Sequence, residues 1–205
     1  MNGSEADLLG SFGIRRRWRR PLWLQLAGIA CLAGIATSSS AQDVNVHVEK
    51  RGELVVIDVK VPVAASVPDV WAVVTDYEHM ASFLSDVKTS RVIRQQGNAL
   101  EVAQSGQTTV AFMKFSFAVI RAVELQAPHE IRSHLISGDF KSYEATTRLV
   151  EQPSGTLIVH HGEYVPKAWL PPMIGPSVVE SQTRKQYGEM IAEILRRKAA
   201  SRSKE

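Results

Sequence analysis

Apolar and polar positions alternate as soon as residue 44 is reached. Val44, Val46 and Val48 share one parity, with Asn45 and His47 between them, and Lys50-Arg51-Gly52-Glu53 then reads as a turn. The alternation resumes over 54–63, with Val55, Ile57, Val59 and Val61 on one face and Asp58 and Lys60 on the other. The period then changes. Ser66-Val67-Pro68-Asp69 is a helix start, with Ser66 as N-cap, Pro68 in the first turn and Asp69 placed to close a capping box. Val70, Trp71, Val73 and Val74 follow as a helical stripe, and Trp71 is expected to be a buried anchor between this helix and the sheet. A second short helical piece over about 78–84 carries Met80, Phe83 and Leu84.

From Val87 the pattern returns to strands. The expected spans are 87–95, 99–105, 108–124, 130–138, 140–151 and 155–165. Turn chemistry separates them at Gln96-Gly97-Asn98, Ser105-Gly106, Ala127-Pro128, Ser137-Gly138-Asp139 and Pro153-Ser154-Gly155. Connections this short favour antiparallel hairpins. Pro166 ends the last strand, and Pro171, Pro172 and Pro176 punctuate a loop. A helix over about 177–198 closes the chain, with Val178, Val179, Met190, Ile191, Ile194 and Leu195 apolar and 199–205 a frayed tail. The fold class is α+β: strands, two short helices, a run of antiparallel strands and one long helix. Such a helix laid on a strongly curved sheet leaves a cavity between them.

The first 41 residues read differently. A basic block, Arg15-Arg16-Arg17-Trp18-Arg19-Arg20, precedes fifteen largely apolar residues from Leu22 to Ala36, then Thr37-Ser38-Ser39-Ser40-Ala41. That is the order of a secretory signal, with a cut expected after Ala41. Fifteen helical residues reach about 22 Å, short of a hydrocarbon core of about 30 Å. Once the signal is removed, no stable membrane span is expected, and the mature domain, 42–198, is expected to be periplasmic or secreted.

The leader also accounts for the charge. The chain has 24 Lys and Arg against 21 Asp and Glu; five of those Arg and two acids (Glu5, Asp7) precede residue 42, so 19 of each sign remain. A balanced domain gives no sign of nucleic-acid binding. Cys31, the single cysteine, sits in the apolar run; read as a signal residue it leaves with the leader, and read as a lipidated cysteine it would anchor the chain.

Little in the domain commits to chemistry. His160-His161 are adjacent on a strand and point to opposite faces, so they do not share a metal ion, and neither a His-Glu-x-x-His nor a His-x-x-x-His motif is present. Gly-x-Gly-x-x-Gly, P-loop and Gly-x-Ser-x-Gly motifs are absent too. No cofactor is expected. His160 and Tyr164, two apart on one face, are the weak candidates for an acid/base pair, against a plainer reading as polar tips in a cavity. Phe112, Phe115 and Phe117 serve equally as core or ligand contacts. On the closing helix Val179, Thr183, Tyr187, Met190 and Ile194 share one face at helical spacing.

The stretch Val61-Pro62-Val63-Ala64-Ala65-Ser66-Val67-Pro68-Asp69-Val70-Trp71-Ala72-Val73-Val74-Thr75-Asp76-Tyr77-Glu78 resembles the opening of the START-like (SRPBCC, Bet v 1-like) superfamily. More narrowly it is similar to the polyketide cyclase/dehydrase and coenzyme Q-binding groups, with Phe83, Gly138-Asp139-Phe140 and Thr156-Leu157-Ile158-Val159 where such proteins have them. The resemblance spans about 43–198 and implies a helix-grip fold. One departure is plain: many members carry Trp where this chain has Thr147.

The sequence alone does not choose which parity of the last strand faces the cavity. The resemblance puts Ile158, His160, Gly162 and Tyr164 inward and His161 and Glu163 outward, with Tyr143, Ala145, Thr147 and Leu149 inward on the preceding strand. The expected ligand-binding set is therefore Tyr143, Thr147, Ile158, His160, Tyr164, Val179, Thr183, Tyr187 and Met190. The expected function is an exported binding protein for a lipid, a quinone or a polycyclic metabolite, entering near 76–86 and 166–176. Two alternatives stand beside it: a cyclase or dehydratase acting on a polyketide-like substrate, and an envelope interaction module with a vestigial cavity. The leader yields the first test: intact-mass measurement of protein from the cell envelope is expected to start at Gln42, and retention of residues 1–41 would overturn the cut.

Overall fold

A computed structural model describes residues 44–110, 113–167 and 175–203. The expected leader, with its Arg block, Cys31 and cut after Ala41, lies outside these residues, as do Phe112 and 168–174.

The valine alternation builds the first hairpin, β1 (Asn45–Arg51) and β2 (Leu54–Val63), paired antiparallel. Val46, Val48, Val55, Val59, Val61 and Val63 are buried. Alternate positions of one strand share a face, so this row makes one side of the hairpin apolar. The chain then turns into α1 (Val67–Val74). Its capping box forms as the sequence predicts: Asp69 N–H donates to Ser66 Oγ at 3.3 Å, while Asp69 Oδ2 accepts from Ser66 N–H at 3.3 Å. Val70, Val73 and Val74 are buried, but Trp71 is only half-buried and packs on the core from its rim. The buried anchor expected at Trp71 is instead divided among the smaller valines, which join the hydrophobic core.

After α2 (Met80–Phe83) come β3 (Val87–Gln96), β4 (Ala99–Val110), β5 (Met113–Gln126), β6 (Glu130–Gly138), β7 (Phe140–Gln152) and β8 (Gly155–Pro166), then α3 (Pro176–Arg202). The eight strands form one antiparallel sheet in the order β1-β2-β8-β7-β6-β5-β4-β3. This curved sheet around a long helix is the helix-grip fold of class α+β.

The sequence misplaces one turn. Ser105-Gly106 lies inside β4, which pairs with β5 without interruption from Ala99 to Val110. Gly106 is there for close approach: a Cβ on it would sit 2.1 Å from the Asp86 carbonyl oxygen and 2.6 Å from the Phe117 ring. α3 also runs to Arg202, so residues 199–202 continue the helix where a frayed tail was expected. No helix among the described residues is long and apolar enough to cross a membrane.

Two polar clasps hold α3 against the rest. At its C-terminal end Arg197 reaches Asp76 Oδ2 at 2.8 Å and Glu193 Oε1 at 2.7 Å, with its guanidinium 5.7 Å from the centre of the Phe83 ring. Asp76 Oδ1 lies 2.7 Å from His79 Nδ1, and Glu193 also accepts two hydrogen bonds from Arg196. Midway along, Glu189 accepts from Ser85 N–H and Oγ–H, and Lys185 pairs with Asp86 at 2.9 Å.

The Arg196 hydrogen bonds, together with those from Arg197, hold the Glu193 carboxyl down at about 2, against the upward push of burial. For Asp76, burial pushes upward, but hydrogen bonds from His79 and Arg197 outweigh it and the carboxyl stays below its usual range. A depressed folded pKa stabilises the fold above the unfolded value, and that stability is lost as pH falls through the folded value. Urea midpoints are therefore expected to fall as pH drops from about 4.5, the ordinary value, to about 2. Glu193→Gln is expected to cost about 1–3 kcal/mol at pH 7 and to flatten that acid limb. An unchanged limb would place the acid sensitivity elsewhere.

Candidate functional site

Between the concave face and α3 lies a cavity of about 490 Å³. That is within the size range of small-molecule sites. Its wall is built by parity. Ile158, His160, Gly162 and Tyr164 line it from β8; Tyr143, Ala145 and Thr147 from β7; Val119 and Arg121 from β5; Gln104 and Thr108 from β4. Met80, Leu84 and Val87 close one side, and α3 contributes Val178, Val179, Gln182, Thr183, Tyr187 and Met190.

All nine residues of the expected binding set line the cavity. His161 and Glu163 lie on the opposite face: His161 Nδ1 is 2.8 Å from Asp58 Oδ1, and its Nε2 is 3.6 Å from Glu163. Ile194, on the same stripe of α3, is fully buried in the core. Phe115 and Phe117 face the cavity.

The polar contacts refine those expectations. His160 pairs with Thr147, its register partner across β7–β8, through an Nδ1–Oγ1 contact of 2.8 Å. Thr147 thus holds an imidazole in place. His160 and Tyr164 share a face but make no hydrogen bond with each other. Tyr164 instead meets the Phe140 ring edge-on, centroids 5.5 Å apart, and the His160 ring lies 6.0 Å from that of Tyr187. Thr183 donates its hydroxyl hydrogen to Val179 O at 2.8 Å, so toward the cavity it can only accept.

Burial, reinforced by the Arg121 charge, pushes His160 down to about 4. Burial pushes Tyr164 up to about 12 and Tyr77 up to about 12. At neutral pH each is therefore an uncharged hydrogen-bonding group.

Sequence reasoning missed the most polar part of the wall. Arg121 donates from Nη1 to Tyr143 Oη at 3.2 Å and from Nη2 to Gln104 Oε1, and its guanidinium lies 5.5 Å from the centre of the Tyr143 ring. Gln104 is oriented by Ser90, whose Oγ accepts from Nε2 at 2.9 Å. Arg121 Nε and Gln182 Oε1 are the two buried side-chain polar atoms without a partner among the described residues. A signal existed in the sequence: Arg121 stands between Val119 and Val123, both buried, at the same parity. Among the described residues, no group of three or more His, Cys, Asp or Glu is placed to hold a metal ion.

A family profile described as "Polyketide cyclase / dehydrase and lipid transport" matches residues 63–188. The chain belongs to this family. No curated protein matches it closely. Among solved structures, the chain is similar to a STAR-related lipid transfer protein from Xanthomonas axonopodis at 11% identity and TM-score 0.61, covering 75% of this chain and 98% of that one. It is also similar to the Zhui aromatase/cyclase from a Streptomyces species, at 17% identity and TM-score 0.59, covering 70% and 95%. A START superfamily protein from Mycobacterium smegmatis matches at 17% identity and TM-score 0.56, covering 70% and 97%. At these identities the likeness carries the fold and leaves the ligand open. The START-like resemblance and the helix-grip fold read from the sequence both hold.

The inward register has a solution test. Tyr164→Lys is expected to abolish binding of an apolar fluorescent probe, because the ammonium would sit in the cavity wall. His161→Lys, beside Asp58 on the other face, is expected to leave binding within about twofold of the parent. Equal effects at the two positions would mean that the probe does not use this cavity.

Proposed function

We propose that the protein is an exported carrier that holds one hydrophobic small molecule, a lipid, a quinone or a polycyclic metabolite, between its sheet and α3. The observation that carries this reading is the cavity of about 490 Å³, whose wall is mostly aliphatic and aromatic with a few convergent polar groups. Removing an apolar ligand from water there is favourable by about 25 cal/mol per Å² buried. Tyr143, Thr147, His160, Tyr164 and Arg121 would orient it. Membership of a family named partly for lipid transport supports the same reading. Export rests on the order of basic, apolar and small residues in 1–41.

The enzyme reading draws its support from the other half of the family's name and from the Streptomyces aromatase/cyclase. It asks His160 to move a proton. A base held down at about 4, with Nδ1 engaged by Thr147, is poorly matched to that work at neutral pH. Carriage is therefore the better reading. Native mass spectrometry and solvent extraction of envelope-purified protein separate the possibilities. The carrier reading expects a co-purified lipid, quinone or polycycle at near one per chain. Turnover of an offered polyketide mimic would replace it with the enzyme reading. An empty protein that takes up no apolar probe would leave an interaction module with a vestigial cavity.

A further inference from the structure

Resting on the carrier reading, the geometry points to a specific class of ligand: we infer that the cavity selects amphiphiles bearing one negative charge, a carboxylate, paired with Arg121. Arg121 is the one Lys or Arg among the described residues lining the cavity. Its partners, Tyr143 Oη and Gln104 Oε1, are both neutral, and its Nε is buried with nothing to donate to. The two carboxylates of the same wall are engaged elsewhere. Asp86 accepts from Lys185 at 2.9 Å and from Thr108 at 3.3 Å, and Asp139 accepts from Ala118 N–H at 2.7 Å. A half-buried cation with no counter-ion is a costly arrangement, and an anion brought by the ligand offsets that cost.

The details favour a carboxylate. A guanidinium offers a planar fork that a carboxylate matches with two parallel hydrogen bonds. Contacts fix the plane of this fork on two sides, with Gln104 held by Ser90 and the Tyr143 ring 5.5 Å away. Because Tyr143 Oη accepts from Arg121, its own hydrogen remains free to donate to the same ligand group. One cation balances one negative charge, so a doubly charged phosphate monoester gains little over a carboxylate. The apolar body of the ligand would lie along Phe117, Leu84 and Met190.

The test is competition against a neutral probe, N-phenyl-1-naphthylamine, bound to the purified protein at pH 7. Dodecanoate is expected to compete about tenfold or more tightly than methyl dodecanoate, the scale of one charge-assisted hydrogen-bonded pair. Dodecyl phosphate is expected to compete within about threefold of dodecanoate. Arg121→Gln should bring acid and ester within about twofold of each other. Tyr143→Phe keeps the ring and removes the hydroxyl. It should narrow the acid-over-ester preference about threefold, which keeps the inference testable if Arg121→Gln does not fold. Equal competition by acid and ester in the parent protein, or an acid preference that survives Arg121→Gln, would overturn the anion inference and leave the carrier reading intact. A dodecyl phosphate preference of tenfold or more would overturn the single-charge assignment. A parent protein that binds no probe at all would overturn both readings.

Discussion

The asymmetric seating of α3 on the sheet is the constraint on which the site depends. Tyr187, Ile191 and Ile194 are buried from the middle of the helix onward, and the Arg197–Asp76–Glu193 clasp fixes its C-terminal end to the turn after α1. Nearer its start Val178, Val179 and Thr183 are only half-buried and line the cavity. One end of the concave face is thus filled by side chains and the other is left as a cavity. Close packing of Val59, Val61, Val70, Val73, Ile158 and Ile194 supplies the stability that the hollow end lacks, at about 1.5–3 kcal/mol for each buried aliphatic side chain.

Two groups of polar side chains in the cavity wall are hydrogen-bonded across strands. Thr147 and His160 form a neutral pair across β7–β8, while Gln104, Arg121 and Tyr143 form a charged cluster spread over β4, β5 and β7. The groups act on each other, since the Arg121 charge adds to burial in keeping His160 unprotonated. A wall whose one cation sits between neutral partners, and whose carboxylates Asp86 and Asp139 are already hydrogen-bonded within the protein, is suited to orienting a ligand. That arrangement, more than the likeness of fold to lipid-transfer or aromatase proteins, separates the two readings of the family's name for this chain.

Register connects the functional and structural faces. His160 and His161 are neighbours in the chain, yet one meets Thr147 and Tyr187 on the cavity side while the other meets Asp58 and Glu163 on the far side. The continuous pairing of β8 with β2 and β7 over this stretch preserves the alternation from Thr156 to Tyr164. A single bulge there would have exchanged the faces and dismantled the site.

Local periodicity determined most of the elements: the valine hairpin, the Ser66–Asp69 capping box, the later strands and the closing helix all follow from patterns within a few residues. The inward parity of β8 needed the family resemblance as well, because both of its faces carry apolar residues. Tertiary contacts decided the rest. Gly106 reads as a turn in sequence, and only the Asp86 carbonyl and the Phe117 ring, brought from other strands and loops, explain a glycine in mid-strand. Trp71 reads as an anchor, yet in the folded chain Val70, Val73 and Val74 of α1 are buried and Trp71 is only half-buried. Arg121 reads as one polar residue in an apolar strand. Its role arises from Gln104 and Tyr143, seventeen and twenty-two residues away, because hydrogen bonding and desolvation depend on what surrounds a group in space, which spacing along the chain does not encode.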